Sequence, residues 1–132
     1  KTSDRCDFEV FGTVEVWLRS SSFLSSSNYK YPYISNLAVK TSCRRQGIAR
    51  QILRKCEQIA LLWGFSEICL HVLENNHQAK QLYFTNGYKI KQIESSLSDY
   101  LTQRPRRLLL SKQLHSDNSV SNSQLVKHIK YC

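Results

Sequence analysis

Apolar and polar positions alternate along the first part of the chain. Residues 7–19 (DFEVFGTVEVWLR) alternate in this way and are rich in β-branched and aromatic types. This pattern predicts one bent strand, or two short strands joined by a turn at Gly12 and Thr13. A serine-rich loop over residues 20–28 follows, and residues 31–39 (YPYISNLAV) predict a central strand.

The period then changes to that of a helix. Apolar side chains recur every three or four residues at Ile48, Ile52, Cys56, Ile59 and Trp63. This spacing predicts an amphipathic helix. Gly64 is its predicted end, because glycine readily adopts the left-handed conformation that follows many helices.

The second half of the chain predicts three strands and one more helix. Residues 66–73 (SEICLHVL) are almost continuously apolar, which is typical of a strand covered on both faces. Residues 76–86 predict a helix ended by a glycine, residues 88–93 alternate as a strand, and a polar loop leads to a last strand over 106–114. The order of elements, β-β-β-α-β-α-β-β, predicts an α/β fold around a mixed sheet.

Composition adds a strongly basic charge to this picture. The 132 residues carry 19 Lys and Arg against 10 Asp and Glu, a formal net charge of +9. A chain of this length forms one domain, and its charge favours anionic partners such as nucleic acid, an acidic membrane surface or a phosphorylated cofactor. The five cysteines form no C-x-x-C pair and the histidines lack zinc-finger spacing, which predicts a reducing compartment and no structural metal.

The turn before the first helix carries the strongest chemical signal. In the segment CRRQGIAR, Gly47 and Ala49 stand among three arginines at the start of the helix. The first helical turn leaves about four N–H groups unpaired, and small side chains let an anion approach them. The alternative is an ordinary strand-to-helix turn with solvated arginines, since short glycine motifs often match by chance. The three-glycine dinucleotide motif and the nucleoside-triphosphate loop are absent.

The segment NLAVKTSCRRQGIARQIL resembles the cofactor-binding core of the GNAT superfamily of acetyltransferases. The motif of that superfamily, [RQ]-x-x-G-x-[GA], is matched by Arg44, Gly47 and Ala49. The resemblance continues through SEICLHVL and ENNHQAKQLYFTNGYKI, and is greatest to plant plastid proteins that acetylate lysines and protein N-termini. It implies an acetyltransferase domain over residues 1–114, followed by a polar tail over 115–132.

The resemblance also implies a particular sheet. That sheet is mixed and mostly antiparallel, is flanked by helices, and has two parallel central strands that splay apart around acetyl-CoA. The family's first strand and its first two helices are expected to lie before Lys1.

The same resemblance implies a set of site residues. The central strand would bind the pantetheine arm, the arginine-glycine loop would bind the pyrophosphate, and the turn before the second helix would touch the arm from the other side. The implied cofactor-binding residues are Leu37, Ala38, Val39, Arg45, Gln46, Gly47, Ile48, Ala49, Arg50, Asn76, His77, Gln78 and Tyr83. Tyr83 is also the implied general acid, with a core aromatic residue as the alternative interpretation. The general base stays open among Glu15, Tyr33, Ser35 and His71.

The predicted function is acetyl transfer from acetyl-CoA to protein α-amines or lysine ε-amines, by direct attack in a ternary complex and without a metal. The resemblance implies a plastid location, with a cytoplasmic one as the alternative. Three other functions stay open: a small-amine acetyltransferase of the arylalkylamine type, a relative that binds CoA without catalysis, and a basic module that binds nucleic acid. The last would use Arg104, Arg106, Arg107, the lysines of the tail, Tyr29, Tyr31 and Tyr33.

Overall fold

The computed structural model describes residues 9–21 and 28–116. Within these ranges the chain forms five strands and three α-helices. In chain order they are β1 (Gly12–Ser20), β2 (Lys30–Val39), α1 (Ile48–Leu62), β3 (Glu67–Leu73), α2 (His77–Thr85), β4 (Lys89–Glu94), α3 (Leu97–Thr102) and β5 (Arg107–Gln113). None of these helices is both long enough and apolar enough to cross a membrane.

The five strands form one mixed sheet in the order β1-β2-β3-β5-β4. All neighbouring strands are antiparallel except β2 and β3, which run parallel. That parallel pairing covers only two residue pairs, Tyr33 with Cys69 and Ile34 with Leu70. Both strands continue beyond these pairs without pairing to each other, so the sheet opens at its centre. The predicted mixed, mostly antiparallel sheet with splayed parallel strands is confirmed.

The main hydrophobic core lies on one face of the sheet, under α1 and α2. Leu53, Cys56 and Ala60 of α1 are buried there, as the helical spacing requires. They pack against strand residues of one parity, among them Ile34, Ile68, Leu70, Val72, Leu108 and Leu110. Cys69 has the opposite parity and is buried on the other face with Tyr33 and Leu109.

The predicted strand over residues 7–19 is a single strand where the structure describes it. It begins at Gly12, and its pairing with β2 is irregular between Thr13 and Glu15, which accounts for the predicted bend. Gly12 itself does not form a turn between two strands. Residues 7 and 8 lie outside the described part of the chain, as do residues 117–132 of the predicted tail.

The polar loop predicted before the last strand contains the short helix α3. Ser96 caps this helix by accepting a hydrogen bond from the Asp99 N–H, and the Asp99 carboxylate accepts one from the Ser96 N–H. The helix was missed because its apolar side chains do not point into the core. Leu97, Tyr100 and Leu101 are between 80% and 85% exposed.

Candidate active site

The opening between β2 and β3 exposes backbone on one side of β2. Leu37, Ala38 and Val39 lie beyond the last pairing of β2 with β3. Their other side is occupied, because Ala38 and Val39 are paired with Thr13 and Gly12 of β1. The N–H and C=O groups that point towards β3 therefore have no strand partner. Apart from the Val39 carbonyl oxygen, which accepts a hydrogen bond from Arg44, they are available to a ligand that lies in the opening.

The loop before α1 is the segment in which the sequence predicts an anion cradle. Arg45 and Gly47 both have left-handed backbone conformations, with φ of 63° and 80°. Gly47 is the N-cap of α1, and no side chain caps this helix end. A β-carbon placed on Gly47 would meet no atom within 4 Å, so the space beside this residue is open. Unpaired N–H groups facing open space fit a pyrophosphate.

The arginines of this loop are placed in two different ways. Arg44 donates from Nε to the carbonyl oxygen of Val39 at 3.1 Å, which ties the loop to the end of β2. Arg45, Gln46 and Arg50 are exposed around the helix start, whereas Ile48 and Ala49 are half-buried in its first turn. The loop thus places two exposed guanidinium groups near the uncapped helix end, where they add positive charge.

Asn76, His77 and Gln78 lie at the start of α2, just after the end of β3. Asn76 is the N-cap, and its side-chain oxygen accepts a hydrogen bond from the Ala79 N–H at 3.1 Å. Its carboxamide oxygen is therefore engaged within the helix, which leaves the amide NH₂ for a ligand. His77 and Gln78 are exposed in the first turn.

Tyr83 projects from α2 into the main core and is only 8% exposed. Its ring meets the ring of Tyr88 edge to face, with centroids 5.9 Å apart. Burial, with a smaller contribution from the nearby phenol of Tyr33, raises the pKa of Tyr83 above its usual range. Tyr83 is thus both a core aromatic residue and a phenol that stays protonated at neutral pH.

Two of the candidate bases are joined on the other face of the sheet. The hydroxyl of Tyr33 lies 2.6 Å from Nδ1 of His71, and Nε2 of His71 lies 2.9 Å from Oε1 of Glu94. The guanidinium of Arg19 lies over the Tyr33 ring, with its carbon 4.9 Å from the centroid. Sequence patterns did not identify Glu94, because it lies one residue beyond the predicted end of its strand.

The other two candidate bases belong to a separate network. The Glu15 carboxylate accepts hydrogen bonds from Ser35 at 3.2 Å and from Asn36 at 2.8 Å. Ser35 in turn accepts one from the indole N–H of Trp17 at 3.1 Å. Asn36 has a left-handed backbone conformation, with φ of 54°, at the point where the opening begins. The Glu15 carboxylate therefore helps to fix this bend in β2.

A broad cavity of about 760 Å³ lies on the same face as these networks. Its walls come from β1, β2, β3, β4, β5 and the segment before α3. The lining includes Arg19, Tyr31, Cys69, Glu94, Asp99 and Arg107. Burial raises the pKa of the Cys69 thiol to about 11, so this thiol is protonated and is a poor nucleophile at neutral pH.

Two of the residues named for a nucleic-acid module are engaged within the fold. Tyr33 is buried, so its face is closed to a stacking base. Arg106 is engaged in a bidentate ion pair with the Glu74 carboxylate, one bond of which measures 2.8 Å.

Within residues 9–21 and 28–116, no group of three His, Cys, Asp or Glu residues is placed to hold a metal ion.

A mixed sheet that opens between two parallel strands, beside an uncapped helix N-terminus, defines a class of acyl-CoA-dependent acyltransferases. The sequence model of the family described as "Acetyltransferase (GNAT) family" matches residues 5–88 of the chain. The chain therefore belongs to the GNAT family of N-acetyltransferases, whose members take the acetyl group from acetyl-CoA.

The chain is similar in sequence to several plant proteins. The chain is 34% identical to GCN5-related N-acetyltransferase 10, chloroplastic, of Arabidopsis thaliana over 84 residues, which are 64% of this chain and 33% of that protein. It is 46% identical to GCN5-related N-acetyltransferase 6, chloroplastic, of the same plant over 61 residues, which are 46% of this chain and 21% of that protein. The chain thus spans a third or less of the length of the curated relatives it matches.

Solved structures share the fold at low sequence identity. Naa20 of Chaetomium thermophilum, in complex with a bisubstrate analogue, matches with a TM-score of 0.67 and 21% identity, over 79% of this chain and 60% of that one. Arabidopsis thaliana NAA60, also in complex with a bisubstrate analogue, matches with a TM-score of 0.66 and 19% identity, over 86% and 71%. These likenesses support the architecture described above.

Proposed function

We propose that the protein transfers an acetyl group from acetyl-CoA to an amine of a protein, either an N-terminal α-amine or a lysine ε-amine. The observation that carries this proposal is the opening of the sheet after Tyr33–Cys69 and Ile34–Leu70, directly beside the uncapped start of α1. An extended thioester arm fits such an opening, and a pyrophosphate fits the helix end.

The proposed contacts divide between three segments. The backbone groups of Leu37, Ala38 and Val39 that face the opening without a partner bind the pantetheine arm as an added strand would. The pyrophosphate is bound by Arg45, Gln46, Gly47, Ile48, Ala49 and Arg50. Asn76, His77 and Gln78 contact the arm from the α2 side of the opening.

Tyr83 is the proposed general acid. Bound acetyl-CoA supplies the thioester carbonyl, which the amine nitrogen attacks directly without a covalent enzyme intermediate. The C–S electron pair then passes to sulfur, and the Tyr83 hydroxyl donates its proton to that thiolate. Since the raised pKa keeps Tyr83 protonated at neutral pH, the proton is present when it is needed.

The cavity on the face of the sheet opposite α1 and α2 is wide, and this width favours a polypeptide acceptor over a small amine. It runs across several strands and is not a closed pocket. The fold is also shared with the NatC complex bound to Gag peptide and CoA, at a TM-score of 0.63 and 20% identity over 80% of this chain and 62% of that one. The names of the chloroplastic relatives support a plastid location.

The test compares Tyr83→Phe with the wild-type chain in acetyl transfer to peptides, some with free N-termini and some with internal lysines. We expect kcat to fall by about 100-fold, as for loss of a general acid, with unchanged CoA affinity. Tyr88→Phe is the matched control: it removes a neighbouring buried hydroxyl, which donates to Glu57 at 3.2 Å, outside the proposed site.

Two results would contradict the proposal. Equal rates for Tyr83→Phe and Tyr88→Phe would exclude Tyr83 as the acid. A wild-type chain that acetylates small arylalkylamines but no peptide would exclude the proposed acceptor class.

A further inference from the structure

We propose that Glu15 is a positioning residue for the acetyl-CoA site: it holds Asn36 in its left-handed conformation and so keeps β2 bent away from β3. This inference rests on the function proposed above and deepens it, because it names the residues that keep the opening in place. It is carried by the hydrogen bonds that join Glu15 to Ser35 and Asn36, at the point where β2 leaves β3.

An extra residue in β2 marks this bend. The register of the two strands places two residues of β2, Asn36 and Leu37, opposite the single residue Val14 of β1. Such an extra residue is a β-bulge, which bends its strand and increases the local twist. The last residue of β2 that pairs with β3 is Ile34, two positions before the bulge. The bend and the opening therefore begin at the same place in the chain.

Asn36 is the residue of the bulge with the unusual backbone. Its φ of 54° lies in the left-handed region, which asparagine tolerates better than most other residues. Asparagine does not require this region, however, and its backbone can also continue as a regular strand. A hydrogen bond from the Asn36 side chain to an acceptor on β1 lowers the free energy of the bent form relative to the regular strand.

That acceptor is a single carboxylate oxygen. Oε2 of Glu15 accepts a hydrogen bond from Nδ2 of Asn36 at 2.8 Å and another from Oγ of Ser35 at 3.2 Å. Hydrogen bonds to an ionised acceptor are stronger than those between neutral groups. Oγ of Ser35 also accepts a hydrogen bond from the indole N–H of Trp17 at 3.1 Å, which leaves the hydroxyl proton of Ser35 for Glu15. Glu15 thus holds two successive residues of β2.

The other end of this network lies where β2 is still paired with β3. The ring of Trp17 meets the ring of Tyr33 edge to face, with centroids 5.4 Å apart. Tyr33 forms one of the two residue pairs that join β2 to β3. Trp17 therefore contacts β2 on the paired side of the bend, and Glu15 of the same strand holds it on the open side. Strand β1 thus fixes the place where the sheet opens.

The bulge also determines which backbone groups face the opening. Leu37, Ala38 and Val39 follow it, and their unpartnered groups are the proposed contacts of the pantetheine arm. Successive residues of a strand point in opposite directions, so a shift of register by one residue reverses them all. Loss of the bulge would turn these groups away from the arm. Glu15 therefore contributes to CoA affinity through Asn36, without contact with CoA itself.

The test measures CoA affinity by titration, together with kcat and KM for acetyl-CoA at a fixed peptide acceptor, in Glu15→Ala and Glu15→Gln. The matched control is Glu67→Ala, which removes a strand carboxylate that binds Lys91 at 2.7 Å, outside the proposed site. Urea unfolding of every variant establishes that each is folded under the conditions of the titration.

For Glu15→Ala we expect the Kd of CoA and the KM of acetyl-CoA to rise together by about 10-fold, as for loss of a charge-assisted hydrogen bond. Glu15→Gln should stay within about twofold of the wild-type chain in affinity and in kcat, because its amide oxygen can accept the same two hydrogen bonds. Glu67→Ala should bind CoA as the wild-type chain does.

A second pair of variants tests whether Glu15 acts through Asn36. Glycine adopts the left-handed conformation without support from a side chain. In the Asn36→Gly background, Glu15→Ala should therefore change the Kd of CoA by less than about twofold. Asn36→Val should raise this Kd by at least about 10-fold even with Glu15 present, because a β-branched residue disfavours the left-handed region.

The outcomes separate this inference from the function on which it rests. Equal CoA affinities for Glu15→Ala and Glu67→Ala, with acetylation that still responds to Tyr83→Phe, would overturn the inference and leave the proposed function standing. The same loss from Glu15→Ala with Asn36 and with glycine at that position would show that Glu15 does not act through Asn36. A large fall in kcat for Glu15→Gln at unchanged CoA affinity would mean that Glu15 acts on the acceptor amine instead. Absence of CoA binding by the wild-type chain would overturn both proposals.

Discussion

At the scale of single residues, the proposed cradle depends on backbone conformation as much as on charge. Gly47 adopts φ of 80°, which glycine accepts easily and other residues accept at a cost. Arg45 accepts a similar conformation two residues earlier. The motif therefore needs its glycine for two reasons: the turn into α1 and the open space beside this residue.

Replacing Gly47 by Ala separates these two effects. We expect a loss of stability of about 1 kcal/mol from the left-handed backbone, and CoA affinity lowered by about ten-fold because the new methyl group stands where the pyrophosphate approaches. Gly64→Ala is the control: Gly64 has φ of 86° and equally open space, but lies at the other end of α1. Urea unfolding and CoA titration measure the two effects. Equal CoA affinities for the two variants would contradict the cradle.

At the scale of elements, α1 is held against the sheet from both sides. Gly12 lets β1 approach the helix closely, since a β-carbon there would lie 2.7 Å from Cδ1 of Ile52 and 3.0 Å from the carbonyl oxygen of Ala38. On the opposite side, Glu57 accepts hydrogen bonds from Tyr88 at 3.2 Å and Lys112 at 2.8 Å. Tyr88 directly precedes β4 and Lys112 belongs to β5, so Glu57 links α1 to that side of the sheet.

The contact at Gly12 yields a test of this packing. Gly12→Ala should lower the free energy of unfolding by about 1 to 3 kcal/mol, because the added methyl group overpacks the contact with α1. Ile52→Val removes the Cδ1 atom in the way and by itself costs about 0.5 to 1.5 kcal/mol. The double variant should therefore lose less than the sum of the two single losses. Strictly additive losses in urea unfolding would contradict a direct contact between these residues.

At the scale of the whole molecule, the two faces of the sheet differ in chemistry. One face carries α1, α2 and the main core. The other carries the cavity and the two polar networks, one around His71 and one around Glu15. The proposed acid, Tyr83, belongs to the face that carries the main core, whereas the residues left open as the base belong to the two polar networks on the other face.

The buried imidazole has a consequence for the stability of the whole domain. Since the pKa of His71 is lower in the folded chain than its ordinary value of 6.5, the unfolded chain binds more protons below that pH. Stability from this group is thus fully present above about pH 6.5 and is lost as the pH falls through that value towards the folded pKa.

We therefore expect the free energy of unfolding to fall more between pH 7 and pH 5 in the wild-type chain than in His71→Gln. His115→Gln, which changes an exposed histidine just after β5, is the control and should keep the wild-type slope. Urea unfolding at several pH values measures the difference. A wild-type slope in His71→Gln would show that this histidine does not have the lowered pKa.

The sequence by itself determined the elements whose signals are local. These signals are the helical period of α1, the apolar pattern of the strands and the glycines at positive φ that follow α1 and α2. Each depends on neighbours a few residues away, so the ends of these elements were predicted to within five residues. The arginine-glycine loop was also located from the sequence, because its residues are contiguous in the chain. The short helix α3 escaped, since its apolar side chains face solvent, although Ser96 and Asp99 form a recognisable capping box.

Only the tertiary structure decided which distant residues meet. Tyr33 and His71 are 38 residues apart in the chain, and Glu94 is a further 23 residues away, yet three different strands bring them into one chain of hydrogen bonds. The register of β2 against β3 also decides where the sheet opens, after two residue pairs. No local pattern specifies these distances, because strand order and register result from packing of the whole sheet. For that reason the sequence predicted the cradle and the acid but left the base open, and only the fold shows that the four candidates lie in two networks, Tyr33 with His71 and Glu15 with Ser35.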